Sequence, residues 1–568
     1  MIFQSLISLY DRLDEARSVP PFGFSEEDIG FVITIDRDGR ITGQPEDLRI
    51  KISATAYDYY PSVVPYSNKV NVRTSDAARV PNFMVDKADY IFGMSGSSKK
   101  DVHHLHFKDL VNEVCRDSSD EGAAAVMKFL EGWRPEDSVN LEGWNEISGL
   151  QGKWVAFRLH GDNRFIHERP EVRDLWVRYI ANASYSENYS FVDGRKLPIQ
   201  PQYAQFRFGA GASLVSFNEK AYESYGKKRG ENAPISVEAE FKSATALKYL
   251  LRTRNQRLHI GDATTVFWTE RKSVIETYMG QLLNPIDDGS EAVKVRKFLE
   301  AVRAGRKPSE IEKDSHIRFY ILGLSVNKAR LAVRFWHVAT VGDMFDKLQQ
   351  HFMDIHMEHS PGRRSEKEIE FPGVWHLLKE TARETKDISP LLAGALMRAI
   401  LTGGAYPQNL YQGIMGRIRA DRDINYLKAS VLKAVLRRNF SKEVPMSLDP
   451  KKKETAYLLG RLFAVLEKAQ LDALGKVNAT IKDRFFGAAS ATPATVFPRL
   501  LKLSQHHIEK AEYGHLSDRR IAEIMEDITE FPSHLSLEEQ GMFAIAYYQQ
   551  KNALWRKKES DDIKGEDQ

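Results

Sequence analysis

Cysteine occurs once in the 568 residues, at Cys115. That excludes an internal disulfide and any cysteine-based zinc site or iron–sulfur cluster, and it suits a reducing cytoplasm. Long hydrophobic runs are missing. The most apolar stretch, residues 390–400, is far too short to span a bilayer and contains Arg398. The opening MIFQSLISLYDRLDEAR has no basic n-region and no cleavage site, so no signal peptide is expected. Net charge is also scarce: 81 Lys+Arg against 78 Asp+Glu leave +3, so any nucleic-acid surface must be a local patch. Catalytic signatures fail as well. There is no Walker A pattern, no Gly-x-Ser-x-Gly elbow and no HExxH, and Gly209-Ala-Gly211 lacks the third glycine of a dinucleotide fingerprint. Nothing calls for a cofactor or a resident metal. No repeat of solenoid period is visible.

What is present is an ordinary globular composition, 42% hydrophobic and 28% charged. Ile2, Leu6, Leu9 and Leu13 fall on one helical face. Phe31–Ile35 is strand-like and Asp36-Arg-Asp-Gly39 is turn chemistry, predicting a hairpin over 30–43. Residues 57–82 read as a long irregular loop, and 107–131, 170–182 and 238–254 as helices. Strands are expected over 263–268 and within 317–336. From about residue 375 the signals are helical: 424–438, then a helix capped at Asp449-Pro450 and ended by Gly475, then starts at Thr492-Pro493 and at the capping box Ser536–Glu539. The fold class is therefore an α+β N-terminal region followed by an all-α C-terminal helical bundle. The expected divisions are 1–375, a basic helical connector over 376–445, and a bundle over 446–568.

Two kinds of cluster carry chemistry. His103-His104-Leu-His106 and His351/His356/His359 hold metal-ligand types, but on helices such groups are usually solvated faces; a metal-dependent nuclease built on His351–His359 is the alternative reading. The basic clusters say more. Arg398–Lys442 holds nine basic residues against Asp421 and Asp423, and Lys227-Lys-Arg229 and Lys69–Lys100 form two others. Three such clusters on a near-neutral chain point to phosphate backbones.

Five strings then carry a resemblance: the opening MIFQSLISLYDRL, VRTSDAARVPNFMVDKADYIFGM (72–94), GASLVSFNEKAYESYGKKRGENAPIS (211–236), GDATTVFWTE (261–270) and SLDPKKKETAYLLGRLFAVLEKAQ (447–470). In these the chain resembles the large subunit of the type I-C (Dvulg subtype) CRISPR Cascade. One departure is NYSFVDGRKLPI, where the family pattern has a Cys-containing turn. The resemblance implies a cytoplasmic, non-catalytic subunit that recognises the PAM on duplex DNA, supports crRNA-guided R-loop formation and binds the displaced strand. Its implied partners are crRNA, target double-stranded DNA, the repeated backbone subunit, the subunit capping the crRNA 5′ handle, a small subunit and a separate helicase–nuclease. Residues placed toward the PAM are Lys69, Asn71, Arg73, Thr74, Asn82, Lys99 and Lys100. Those placed on nucleic-acid backbones are Lys227, Lys228, Arg229, Arg252, Arg254, Arg417, Arg419, Lys433, Arg437 and Arg438. The resemblance further implies a small subunit translated from within the same gene. Met446 is the candidate start, because charge balance and periodicity both change there: residues 446–568 carry 18 Lys+Arg against 19 Asp+Glu.

Overall fold

In a computed structural model, the first helix, Ile2–Glu15, buries Leu6, Leu9, Tyr10 and Leu13 on one face, and it packs on the helix Val237–Arg252. The structure describes residues 1–53, 56–66, 81–93, 98–149, 153–183, 185–208, 210–217, 219–260, 263–276, 279, 297, 299–304, 306–327, 330–361, 368–475 and 477–562. The chain divides into two compact units, Met1–Arg252 with Val326–Ala332, and Thr253–Ser325 with Val333–Gln568.

In the first unit the strand Phe24–Ile35 is central. It runs antiparallel to Tyr60–Pro65 and parallel to Trp154–Leu159. Its β-branched run buries Ile29, Val32, Ile33 and Ile35 against Val155, Ala156 and Phe157. The turn after it forms as its residues dictate. Asp36 Oδ1 accepts from the backbone N–H of Asp38 (2.9 Å) and Arg40 (2.8 Å). Gly39 takes φ +78°, and a Cβ there would sit 2.4 Å from the backbone nitrogen of Phe129. The return arm of the expected hairpin shrinks to a bridge between Ile35 and Ile41. The helix expected over 107–131 is two, Ser98–Cys115 and Glu121–Gly132. Asp120 breaks it by capping the second, accepting from the Ala123 N–H at 2.9 Å. The strands Glu187–Tyr189 and Lys196–Pro198 are closed by hydroxyls. Asp193 Oδ2 accepts from Ser190 Oγ (2.6 Å) and Ser236 Oγ (2.7 Å).

The second unit begins with the strands Arg257–Ile260 and Ala263–Thr269 and the part of Arg318–Asn327 up to Ser325, then the Val333 onward part of Arg330–Thr340. Ala263–Thr269 is buried at every position, which explains its unbroken apolar and threonine run. Helices follow from Val341–Ile355 onward, so helical character begins before residue 375. The helix Thr455–Leu474 lies against Leu537–Asp562 so closely that a Cβ on Gly460 would fall 2.2 Å from the Phe543 carbonyl. It starts at Thr455; Asp449 instead closes a preceding turn, accepting from the Lys451 N–H at 2.9 Å. One apolar core runs from Leu258 to Leu554. Polar ties cross the step at 445/446: Gln549 Nε2 donates to the Pro445 carbonyl (2.8 Å), Tyr548 Oη to that of Glu358 (3.0 Å), and Tyr411 Oη to that of Leu537 (2.9 Å). No helix among the described residues is long and apolar enough to cross a membrane.

Candidate nucleic-acid interface

The sequence-selected residues fall into four groups. Lys69, Asn71, Arg73 and Thr74 lie outside the described residues, as do the side chains of Lys99 and Lys100. Asn82 is buried at 1% exposure. Its backbone N–H donates to Asp86 Oδ2 (2.8 Å), and the neighbouring Phe83, Met84 and Val85 hold that stretch in the core. A side chain so enclosed does not face a groove in this conformation.

The second group stands outside. Every residue from Glu219 to Arg229 is exposed, including Lys227, Lys228 and Arg229. Its residues are mainly charged or turn-forming, and only Ala221, Tyr222 and Tyr225 carry apolar surface. It is nonetheless built. Asn232 Oδ1 accepts from the Ser224 N–H (3.1 Å), and its Nδ2 donates to the carbonyls of Lys227 (3.0 Å) and Arg229 (3.1 Å). Glu231 Oε2 accepts from the Lys228 N–H (3.0 Å). Tyr203 Oη donates to the carbonyls of Gly230 and Ala233. Gly230 lies so close to the chain that a Cβ would meet the Gln200 carbonyl at 2.1 Å. The guanidinium of Arg330 covers the Tyr222 ring at 4.0 Å.

The third group, Arg252 and Arg254, is exposed; Arg252 lies 3.6 Å from Glu26. The fourth group, on the 398–442 segment, is divided: Arg398, Arg419, Arg422 and Arg437 are exposed, whereas Lys428 and Lys433 turn inward. Tyr426–Phe440 is not the amphipathic helix its sequence suggests: Tyr426 and all of 428–436 are buried. Lys433 Nζ donates to the carbonyls of Met353 (3.1 Å), Asp354 (3.2 Å) and His356 (2.7 Å), at the C-terminal end of the helix Val341–Ile355. A cation there complements the helix dipole and satisfies carbonyls with no intrahelical partner. Burial pushes its pKa down to about 8. Arg438 Nε donates to Asp354 Oδ2 (2.8 Å), and its guanidinium lies 4.1 Å over the Tyr406 ring. Arg417 pairs with Asp421, and Arg419 donates to Gln540 Oε1. Arg437 is half exposed, 3.7 Å from Asp354. Lys433 and Arg438 are thus structural in this conformation.

The same segment opens a groove of about 470 Å³ within the second unit, where exposed Arg334 and Arg398 flank Phe335, Ala395 and Gly404. The sequence reading did not single out Arg334, Arg330 or Tyr225, which lie beside these clusters; of the three only Tyr225 carried a signal, as the aromatic beside a Lys-Lys-Arg run.

The histidines do not converge. His351 Nδ1 meets Tyr406 Oη at 2.8 Å, and burial lowers its pKa to about 3. His359 Nδ1 meets Glu368 Oε2 at 3.0 Å, its ring stacked on Tyr426. His103 pairs with Asp89 at 3.0 Å and stacks on Tyr90. Among the described residues no three His, Cys, Asp or Glu groups are arranged to hold a metal ion.

Compared with known families, residues 6–555 match CRISPR-associated protein (Cas_Csd1). The chain belongs to the Csd1 family. The match spans nearly the whole chain and corresponds to the large subunit of the type I-C Cascade. The Lys227-Lys-Arg229 loop, the Arg334/Arg398 groove and the inward helix Tyr426–Phe440 therefore all belong to a Csd1 family member. No curated protein matches the chain.

Proposed function

We propose that this Csd1 family member is the non-catalytic subunit that recognises the PAM, supports R-loop formation beside the crRNA and binds the displaced strand. Cleavage is left to a separate helicase–nuclease. The observation that carries the reading is the exposed, hydrogen-bonded Lys227-Lys-Arg229 loop on a family member of a guide-RNA complex. Cations held in solvent on a preformed turn are what a phosphate backbone requires. In the assembled complex, replacing Lys227, Lys228 and Arg229 together by Ala should weaken all targets alike and reduce the salt slope by about one for each phosphate no longer held. An unchanged slope would reject the loop as a backbone grip.

PAM reading is assigned to Asn71 and Arg73, with Lys69 and Thr74 beside them. Asn pairs with adenine edges and Arg with guanine, and removing one such pairing should cost roughly 1–3 kcal/mol. Equal affinity of Asn71→Ala and Arg73→Ala complexes for PAM-bearing duplex would reject that assignment. Met446 is assigned as the internal start of a 123-residue small subunit. Expression of the Met446→Leu gene should abolish the small band; its persistence at the same mass would move the start elsewhere.

A further inference from the structure

Tyr225 stands at the tip of the Lys227-Lys-Arg229 loop and is 98% exposed, the most of any large hydrophobic side chain among the described residues. Soluble proteins usually bury aromatic rings or lean them on a neighbour; this one is left in solvent. Its backbone is left-handed at φ 53°, and Gly226 and Arg229 follow at φ 73° and φ 46°. A bulky residue in that region is strained, because its Cβ crowds the following carbonyl. The surrounding bonds hold it there: the Lys227 N–H to the Ser224 carbonyl at 3.0 Å, and the Asn232 fork to Lys227 and Arg229. The ring is therefore presented rather than free to fold back. Lysines are depleted in protein–protein interface centres, whereas a ring beside cations is how single-stranded nucleic acid is held.

We infer that Tyr225 is a stacking platform for an unpaired nucleobase, with Lys227 and Lys228 holding the phosphates on either side. This rests on the reading of the loop as a nucleic-acid grip. Because the turn is already formed, stacking costs little ordering, and the affinity it adds resides in the ring itself.

The test uses the assembled complex and target DNA substituted position by position with 5-iodouracil, irradiated, with the crosslinked residue identified by mass spectrometry. Tyr225 should crosslink at one or two unpaired positions. Tyr225→Asn, which tolerates the left-handed backbone, should lose that crosslink and weaken binding roughly 5- to 100-fold, with Tyr225→Trp restoring both. If no position crosslinks to Tyr225 while Lys227→Ala/Lys228→Ala still lowers affinity, the grip stands and the platform falls. If neither change has an effect, both fall. If Tyr225→Asn instead strips a protein subunit from the complex, the ring is a protein contact and the inference is overturned.

Discussion

The loop 219–229 keeps its cations in solvent, whereas the helix Tyr426–Phe440 draws Lys428 and Lys433 inside. The difference lies in their neighbours. In ESYGKKRGEN the one apolar side chain, Tyr225, does not draw the stretch inward, and the backbone is satisfied by Asn232 and Glu231. In YLKASVLKAVLRR apolar residues fall around the whole helix, so the helix is buried and its lysines must find oxygens. Lys428 finds Asp421 at 3.0 Å, and Lys433 finds three carbonyls. A basic count alone therefore does not tell whether cations are exposed; the apolar company they keep does.

The largest effect that can break this contrast is at Lys433. Lys433→Ala leaves three buried carbonyls unpaired and should destabilise the full chain by roughly 3–5 kcal/mol in denaturant unfolding, with the salt slope of DNA binding unchanged. Weaker binding at unchanged stability would place Lys433 with the loop cations instead.

Glu240 extends the contrast to a buried charge only half satisfied. Its Oε1 accepts from the Ala204 N–H at 2.6 Å and its Oε2 has no hydrogen-bond partner among the described residues. Burial raises its pKa from 4.5 to about 7. Between those values the folded chain binds more protons than the unfolded one, so stability falls as pH rises through this window and is level above it. Glu240→Gln should remove that fall and be more stable at pH 8 by about 3 kcal/mol. An unaltered pH profile in thermal unfolding would show that the carboxylate is solvated.

His351 has the opposite sign. Held neutral in the fold with its pKa lowered to about 3, it costs stability as pH falls below 6.5, by about 1.4 kcal/mol per pH unit. His351→Gln should flatten the acid limb by that slope. The smallest effect is expected in the loop: replacing Lys227, Lys228 and Arg229 by Ala should change stability by no more than about 0.5 kcal/mol. A larger loss would mean the side chains brace the turn.

Much of the architecture was legible because it rests on local periodicity. Leu6, Leu9 and Leu13 announce the first helix, and ATTVFWT announces a buried strand. Gly475 and the Ser536–Glu539 box mark helix ends as expected. Element starts were harder. Asp449 has the chemistry of a cap, yet it caps a turn, because Lys451–Lys453 intervene before the apolar run. Asp120 closes the run Asp117-Ser-Ser-Asp120, a capping signal that the single-helix reading of 107–131 passed over and that its side chain on Ala123 bears out. The site was less legible still. That Lys433 points inward depends on carbonyls some 80 residues earlier, and that Tyr225 points outward depends on the Asn232 fork and a left-handed turn. Neither leaves a trace in spacing.

The exposure of Glu219–Arg229 has an evolutionary consequence. Its side chains share no packing with the core, while the turn is fixed by backbone groups, Asn232, Tyr203 and the glycine at 230. Substitutions at Lys227 and Lys228 are therefore nearly neutral for folding. Sequence drift should thus be tolerated by the fold at Lys227 and Lys228 and purged at Gly230 and Asn232, so the tip can change while its base stays put.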